Sequence, residues 1–146
     1  MAFFCLFAFT SLVMEMYVVF GVDLREAADP FGRAWNWYAR FDPIFYDPPL
    51  FLKWMCGIDG FVFGPFYLVL LYAFVRRREW IRAPGLAYVG TIVYSTIVYF
   101  LVEFLDPVPG TDLGMVFWIN IPYAIVPLWL GWRLRRAPVF GAAESS

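Results

Sequence analysis

Apolar positions along this chain gather into four long runs, separated by polar, proline-rich connections. Ala2 to Val22 is the first, interrupted only by Glu15. A bilayer core is crossed by about 20 helical residues, so this run predicts a membrane span. It has neither the basic start nor the small-residue cleavage site of a signal peptide. Leu52 to Val75, Leu86 to Leu105 and Gly114 to Leu134 predict three more spans.

The connections supply the punctuation. Within Asp23 to Phe51, Asp29-Pro30 starts a helix in which Phe31, Trp35 and Tyr38 recur at helical spacing, with Arg33 and Arg40 nearby. Such aromatic, basic segments lie at headgroup level, so a short interfacial helix is expected. Asp42-Pro43 and Asp47-Pro48-Pro49 end it, because a residue before proline is pushed out of the α region. Arg76 to Gly85 reads as a basic loop, Asp106-Pro107 and Pro109-Gly110 as a turn, and residues 137–146 as a short disordered tail. The expectation is one all-α domain over residues 1–136, an integral membrane four-helix bundle.

Composition agrees. The chain is 62% hydrophobic and 16% charged, whereas soluble domains are about half apolar and about a quarter charged. No basic patch suggests nucleic acid. The chain has no histidine, which excludes a His-based metal site and Ser-His catalysis, and no cofactor motif is seen. Cys5 and Cys56 lie in apolar segments, which argues against a disulfide framework. Four spans put both termini on the side of Arg76, Arg77, Arg78, Arg82, Arg133, Arg135 and Arg136, against Arg25, Arg33, Arg40 and Lys53 opposite. The positive-inside rule then makes both termini cytoplasmic, in the endoplasmic reticulum of a eukaryote or the inner membrane of a bacterium.

The polar residues inside the spans are the candidate chemistry. Asp59 lies about a third of the way into the second span, where a charge costs about 2.5 to 3.5 kcal/mol and normally faces a bundle interior or a wet cavity. Gly57, Gly60 and Gly64 form a stripe that lets another helix approach closely. Pro65 is expected to kink the helix just beyond Asp59. No basic residue lies deep in any span to neutralise Glu15 or Asp59, so the two are expected to share a proton or bond to Tyr and Asn. Asp23 and Glu103 sit nearer span ends, where snorkelling to the headgroups is an equal reading. Helical spacing puts Cys56, Phe63 and Phe66 with Asp59, Thr96 and Tyr99 with Glu103, and Tyr123 and Pro127 with Asn120. Met16, Tyr17, Trp54 and Trp118 are further candidates for walls. Acids among aromatic rings suit a lipophilic cation, and equally the carbocation formed when an acid protonates a buried alkene. Residue types do not choose between them.

Several segments, in order, resemble the EXPERA domain family, whose members include the emopamil-binding sterol Δ8–Δ7 isomerases and the sigma-2 receptors. They are Trp37-Tyr-Ala-Arg-Phe-Asp-Pro43, Asp59 with Gly64-Pro65-Phe66, Tyr99-Phe-Leu-Val-Glu103, and Asn120-Ile-Pro-Tyr-Ala-Ile-Val-Pro127. The resemblance runs from about Ser11 to Arg136. It implies a four-helix membrane bundle, usually dimeric, with an intramembrane pocket opening towards lipid. The isomerases' first-helix His-x-x-x-Glu pair is matched by Ser11-Leu-Val-Met-Glu15, keeping the Glu and replacing the His. Their second-helix catalytic Glu falls near Cys56, while Asp59 matches the receptors' pocket Glu. Asp23 resembles a receptor aspartate, Asn120 an isomerase asparagine, Tyr123 a receptor tyrosine, and Glu103 an acid of both.

Three functions follow as expectations. The first is a pocket for a sterol or isoprenoid-like lipid, and for lipophilic amines as mimics, in which Glu15 and Asp59 could move a double bond by proton transfer. Whether it is catalytic stays open at this point. The second is a proton-coupled exporter of lipophilic cations, favoured by a first-helix Glu but opposed by the long first connection. The third is a non-catalytic assembly subunit whose polar residues glue helices.

Overall fold

Each apolar run forms one helix in the computed structural model, which describes residues 1–141. Among those residues the chain is all-helical, and four helices are long and apolar enough to cross a membrane. They are α1 (Ala2–Val19), α3 (Leu50–Val75), α4 (Glu79–Leu105) and α5 (Leu113–Leu134). Between α1 and α3 lies α2 (Pro30–Ala39). Asp29 starts α2 as expected of an Asp-Pro pair: its Oδ1 accepts the Phe31 and Gly32 N–H groups, both at 3.0 Å, and Pro30 takes the first helical position. The Tyr17 hydroxyl donates to the same carboxylate at 2.6 Å, which ties α2 to α1.

The third span starts earlier than its sequence suggests. A tight turn over Glu79–Ile81 runs directly into helix at Arg82. Pro84 and Gly85 looked like loop residues, but Pro84 falls in the first turn, where backbone N–H groups have no intrahelical partner to lose.

Two helices carry a wide i→i+5 turn. In α3 the Gly64 N–H reaches Asp59 O, immediately before Pro65, which has no N–H to give the preceding turn. In α1 the Glu15 N–H reaches Thr10 O. The two turns pack on each other. A Cβ on Gly60 would collide with the Met16 methyl and lie 3.1 Å from Ser11 O, and one on Gly64 would lie 2.6 Å from Leu12 Cδ2. Gly57, expected in the same stripe, meets nothing within 4 Å.

α1 packs chiefly on α3, and α4 on α5. One buried cluster, including Phe7, Tyr67, Tyr88 and Leu134, fills the arginine-rich end. A second, including Val18, Tyr38, Phe45 and Tyr99, fills the end under α2. At the arginine-rich end Arg82 donates from Nε to Leu134 O and from Nη2 to Arg135 O, each at 3.0 Å, capping α5. The Glu79 carboxylate accepts the Val139 and Phe140 N–H groups at 2.8 Å. This holds the first residues of the expected tail, and residues 142–146 lie outside the described residues.

Candidate functional site

A cavity of about 330 Å³ lies between the α1–α3 and α4–α5 pairs, with α2 over one end. Its wall is largely apolar and aromatic: Trp35, Trp37 and Phe45 from the first connection, Leu52 and Met55 from α3, Ile92 from α4 and Ile119 from α5. Into this wall are set Glu15 from α1 and Asp59 from α3, whose carboxyl groups are close enough to interact directly. The wide turns explain the meeting. Glu15 closes one and Asp59 opens the other, so the contact that joins α1 to α3 also aims both acids at the same space. Wide turns of this kind recur at functional sites.

Two buried polar atoms of the lining have no partner: Glu15 Oε2, an acceptor, and Trp35 Nε1, a donor. Trp35 stacks on Tyr38 with ring centroids 5.2 Å apart. Across the cavity, Thr10 Oγ1 and the Tyr123 hydroxyl are 2.8 Å apart. Pro127 has no N–H to offer the Tyr123 carbonyl, and Thr96 Oγ1, which donates to Ile92 O at 2.8 Å, lies 3.5 Å from that oxygen.

A second polar group sits under α2, at the upper edge of the cavity. Asp42 is fully buried and its Oδ2 accepts the hydroxyls of Tyr38, at 3.0 Å, and of Tyr99. Asn120 Nδ2 donates to the Tyr38 oxygen at 2.7 Å and to Val116 O at 2.8 Å. Burial pushes the Asp42 carboxyl above its ordinary range, against the opposing pull of the two phenols. Burial beside Asp42 likewise drives the Tyr38 phenol upward. Glu103 is 1% exposed, feels the Asp42 charge, and leaves both carboxyl oxygens unpartnered.

The candidates from sequence therefore divide. Glu15, Cys56, Asp59, Tyr99, Asn120 and Tyr123 all line the cavity. Glu103 is buried on the same face of α4 as Thr96 and Tyr99, but feels the Asp42 charge and is not part of the cavity lining. Phe63 is buried edge-on to Tyr88 and borders a neighbouring, smaller space. Asp23 is on the surface, accepting the Arg25 N–H at 2.9 Å and lying 3.7 Å from its guanidinium. Trp54 and Trp118, offered as walls, face outward. Spacing along the chain marks Asp42 only as a helix stop, although it lies inside the Trp37–Pro43 segment. That segment also supplies Trp37 and Tyr38 to the lining.

A family model described as EXPERA (EXPanded EBP superfamily) matches residues 30–134. The chain is also 28% identical over 137 residues to human Transmembrane 6 superfamily member 2, with 94% of this chain covered. It spans 34% of that relative's length. No solved structure matches the chain.

Proposed function

The chain belongs to the EXPERA family, and from that premise we propose that its intramembrane cavity binds a sterol or isoprenoid-like lipid, and lipophilic amines as mimics. The observation that carries this reading is the pair of carboxyls, Glu15 and Asp59, set in an otherwise apolar and aromatic space. Its size falls within the ~300–1,000 Å³ range of small-molecule sites. An apolar body would take the place of water against Trp35, Phe45, Leu52 and Ile92. A ligand hydroxyl would donate to Glu15 and accept from Trp35, the two lining atoms without partners. A protonated amine would sit at the carboxyl pair, which can share one proton but is costly to ionise fully in low dielectric.

The same pair supports double-bond isomerisation. One carboxyl would deliver a proton to an alkene carbon, leaving a carbocation beside the aromatic wall. The other would take a proton from the adjacent carbon, so that the double bond moves one position and the sum of atoms is unchanged.

Mass spectrometry of lipids extracted from the purified protein would identify the resident ligand, and an extract matching the surrounding bilayer would count against the proposal. Glu15→Gln and Asp59→Asn are each expected to weaken amine binding by roughly ten- to a hundredfold, the value of a charge-assisted hydrogen bond. Turnover of a Δ8 sterol in heavy water should place deuterium in the product. Tight amine binding without deuterium uptake would leave a binding protein.

A further inference from the structure

The ends of α3, α4 and α5 meet where the arginines gather. Arg76, Arg77 and Arg78 follow α3, Arg82 lies near the start of α4, and Arg133, Arg135 and Arg136 lie at and beyond the end of α5. The Arg133 guanidinium sits over the Phe74 ring at 5.4 Å and the Phe140 ring at 5.9 Å, which brings the end of α5 against that of α3. Arg82 is engaged by the carbonyls of Leu134 and Arg135. The other five, Arg76, Arg77, Arg78, Arg135 and Arg136, are exposed, and no carboxylate pairs with them among the described residues. Glu79, the acid described at this end, is occupied by the Val139 and Phe140 N–H groups.

Arg77 stands in the left-handed region, at φ +49°. Its N–H bonds to Phe74 O at 3.3 Å, and that of Arg78 to Ala73 O at 2.8 Å, the pair of bonds with which a glycine ordinarily ends a helix. Glycine takes this conformation freely, and a residue with a Cβ does not. Membrane orientation asks only for the charge, which Arg76 and Arg78 carry at ordinary φ values of −91° and −86°. The left-handed arginine therefore points to a demand on its side chain, and such strain collects at ligand clamps. On α5, Arg135 lies over the exposed Trp132 ring at 4.7 Å, and Trp80 is exposed as well. Tryptophans favour headgroup depth, which puts these guanidiniums level with lipid phosphates.

We propose that this end of the bundle binds an anionic phospholipid whose head is a phosphate monoester, held by Arg77 beyond α3 and by Arg135 and Arg136 beyond α5, with its chains on the exposed Val75 and Trp132. A monoester offers about two negative charges where a diester head offers about one, and its oxygens match the fork of a guanidinium. Basic clusters beside a membrane span attract anionic heads in this way. None of these residues lines the cavity, so the site stands whatever the cavity holds.

Native mass spectrometry of the full chain in a non-ionic detergent, titrated with dioleoyl phosphatidic acid, reads the site directly. Phosphatidic acid should bind about tenfold more tightly than dioleoyl phosphatidylcholine. Arg77→Gly should weaken its binding about fivefold, the worth of one basic residue at an anionic surface. The same variant should melt at a higher temperature, because glycine relieves the left-handed residue. Weaker binding in a more stable protein is an outcome that misfolding does not produce. Arg136→Gln, in no hydrogen bond among the described residues, should weaken binding by a similar factor at an unchanged melting temperature. Arg33→Gln and Arg40→Gln, at the opposite end, should bind as wild type does. Equal affinity for the two lipids would overturn the proposal, as would full binding by Arg77→Gly and Arg136→Gln. A loss in Arg33→Gln as large as that in Arg77→Gly would overturn it by showing attraction to net charge alone. Glycerol 3-phosphate competing as well as the intact lipid would do so by showing a site for free phosphate.

Discussion

The Asp42 carboxylate joins α2 to α4 through Tyr38 and Tyr99. It precedes Pro43 and looks like ordinary helix punctuation, yet it is buried and holds the hydroxyls of Tyr38 and Tyr99. Tyr99→Phe leaves it one phenol instead of two and should lower stability by about 1–3 kcal/mol, read as a lower melting temperature in detergent. The carboxyl also gives a signed pH dependence. Its folded pKa is raised above the ordinary 3.8 by burial, so the folded protein keeps a proton that the unfolded chain has already lost. The stability from this group is full below the unfolded value and is lost as pH rises through the folded one. Tyr38, Tyr99, Asn120 and Glu103 face it. In a Glu103→Gln background, which removes the neighbouring charge, the melting-temperature advantage over Asp42→Asn should therefore fall as pH rises from about 4 towards neutrality. A difference that grows with pH would show that the hydrogen bonds from the phenols outweigh burial.

At the scale of elements, the join between α1 and α3 fixes the site, and the glycines test it. Valine at Gly60 must displace Met16 and press on the backbone at Ser11, so Gly60→Val should cost about 1–3 kcal/mol. Gly57→Val, with nothing within 4 Å of its Cβ, should stay within about 0.5 kcal/mol of wild type. Equal melting temperatures for the two variants would mean that α1 and α3 do not meet there. The pattern of spans was legible because bilayer thickness sets run length and the connections carry proline. The wide turn in α3 was half legible, since Pro65 announces a fault in the helix. Its consequence was not, because the extra residue turns the face so that Gly60 and Gly64 meet α1 while Gly57 does not. The matching turn in α1 carries no glycine or proline. Its Thr10 is engaged by Tyr123 from α5, a tertiary contact that no local spacing encodes. For the same reason Glu15 and Asp59 could be expected to meet, but the aromatic roof from Trp35 to Phe45 could not be placed over them.

For the whole molecule the remaining question is which end faces the cytoplasm, and the charge distribution turns it into an experiment. The bundle gathers Arg76, Arg77, Arg78, Arg82, Arg133, Arg135 and Arg136 at one end, where Arg82 caps α5 and Glu79 holds the Val139–Phe140 backbone. The end under α2 holds Arg25, Arg33, Arg40 and Lys53 among acids, and Arg25 is paired with Asp47 at 2.9 Å. Retention of positive loops on the cytoplasmic side then predicts that both termini are cytoplasmic. With Cys5 and Cys56 replaced by serine, Arg33→Cys should react with an impermeant maleimide on intact cells or spheroplasts if the membrane is the plasma membrane. Arg78→Cys should react only after lysis; in sealed microsomes from the endoplasmic reticulum the pattern inverts. Replacing Arg76, Arg77 and Arg78 by glutamine leaves four basic residues on each side and removes the bias. That protein should insert both ways, with cysteine probes at exposed, uncharged positions of the two ends, Ala28→Cys and Ala137→Cys, each partly labelled before lysis. A triple variant that keeps the wild-type pattern would place the orienting signal elsewhere, in the folding of α2 and its connection before the later helices insert.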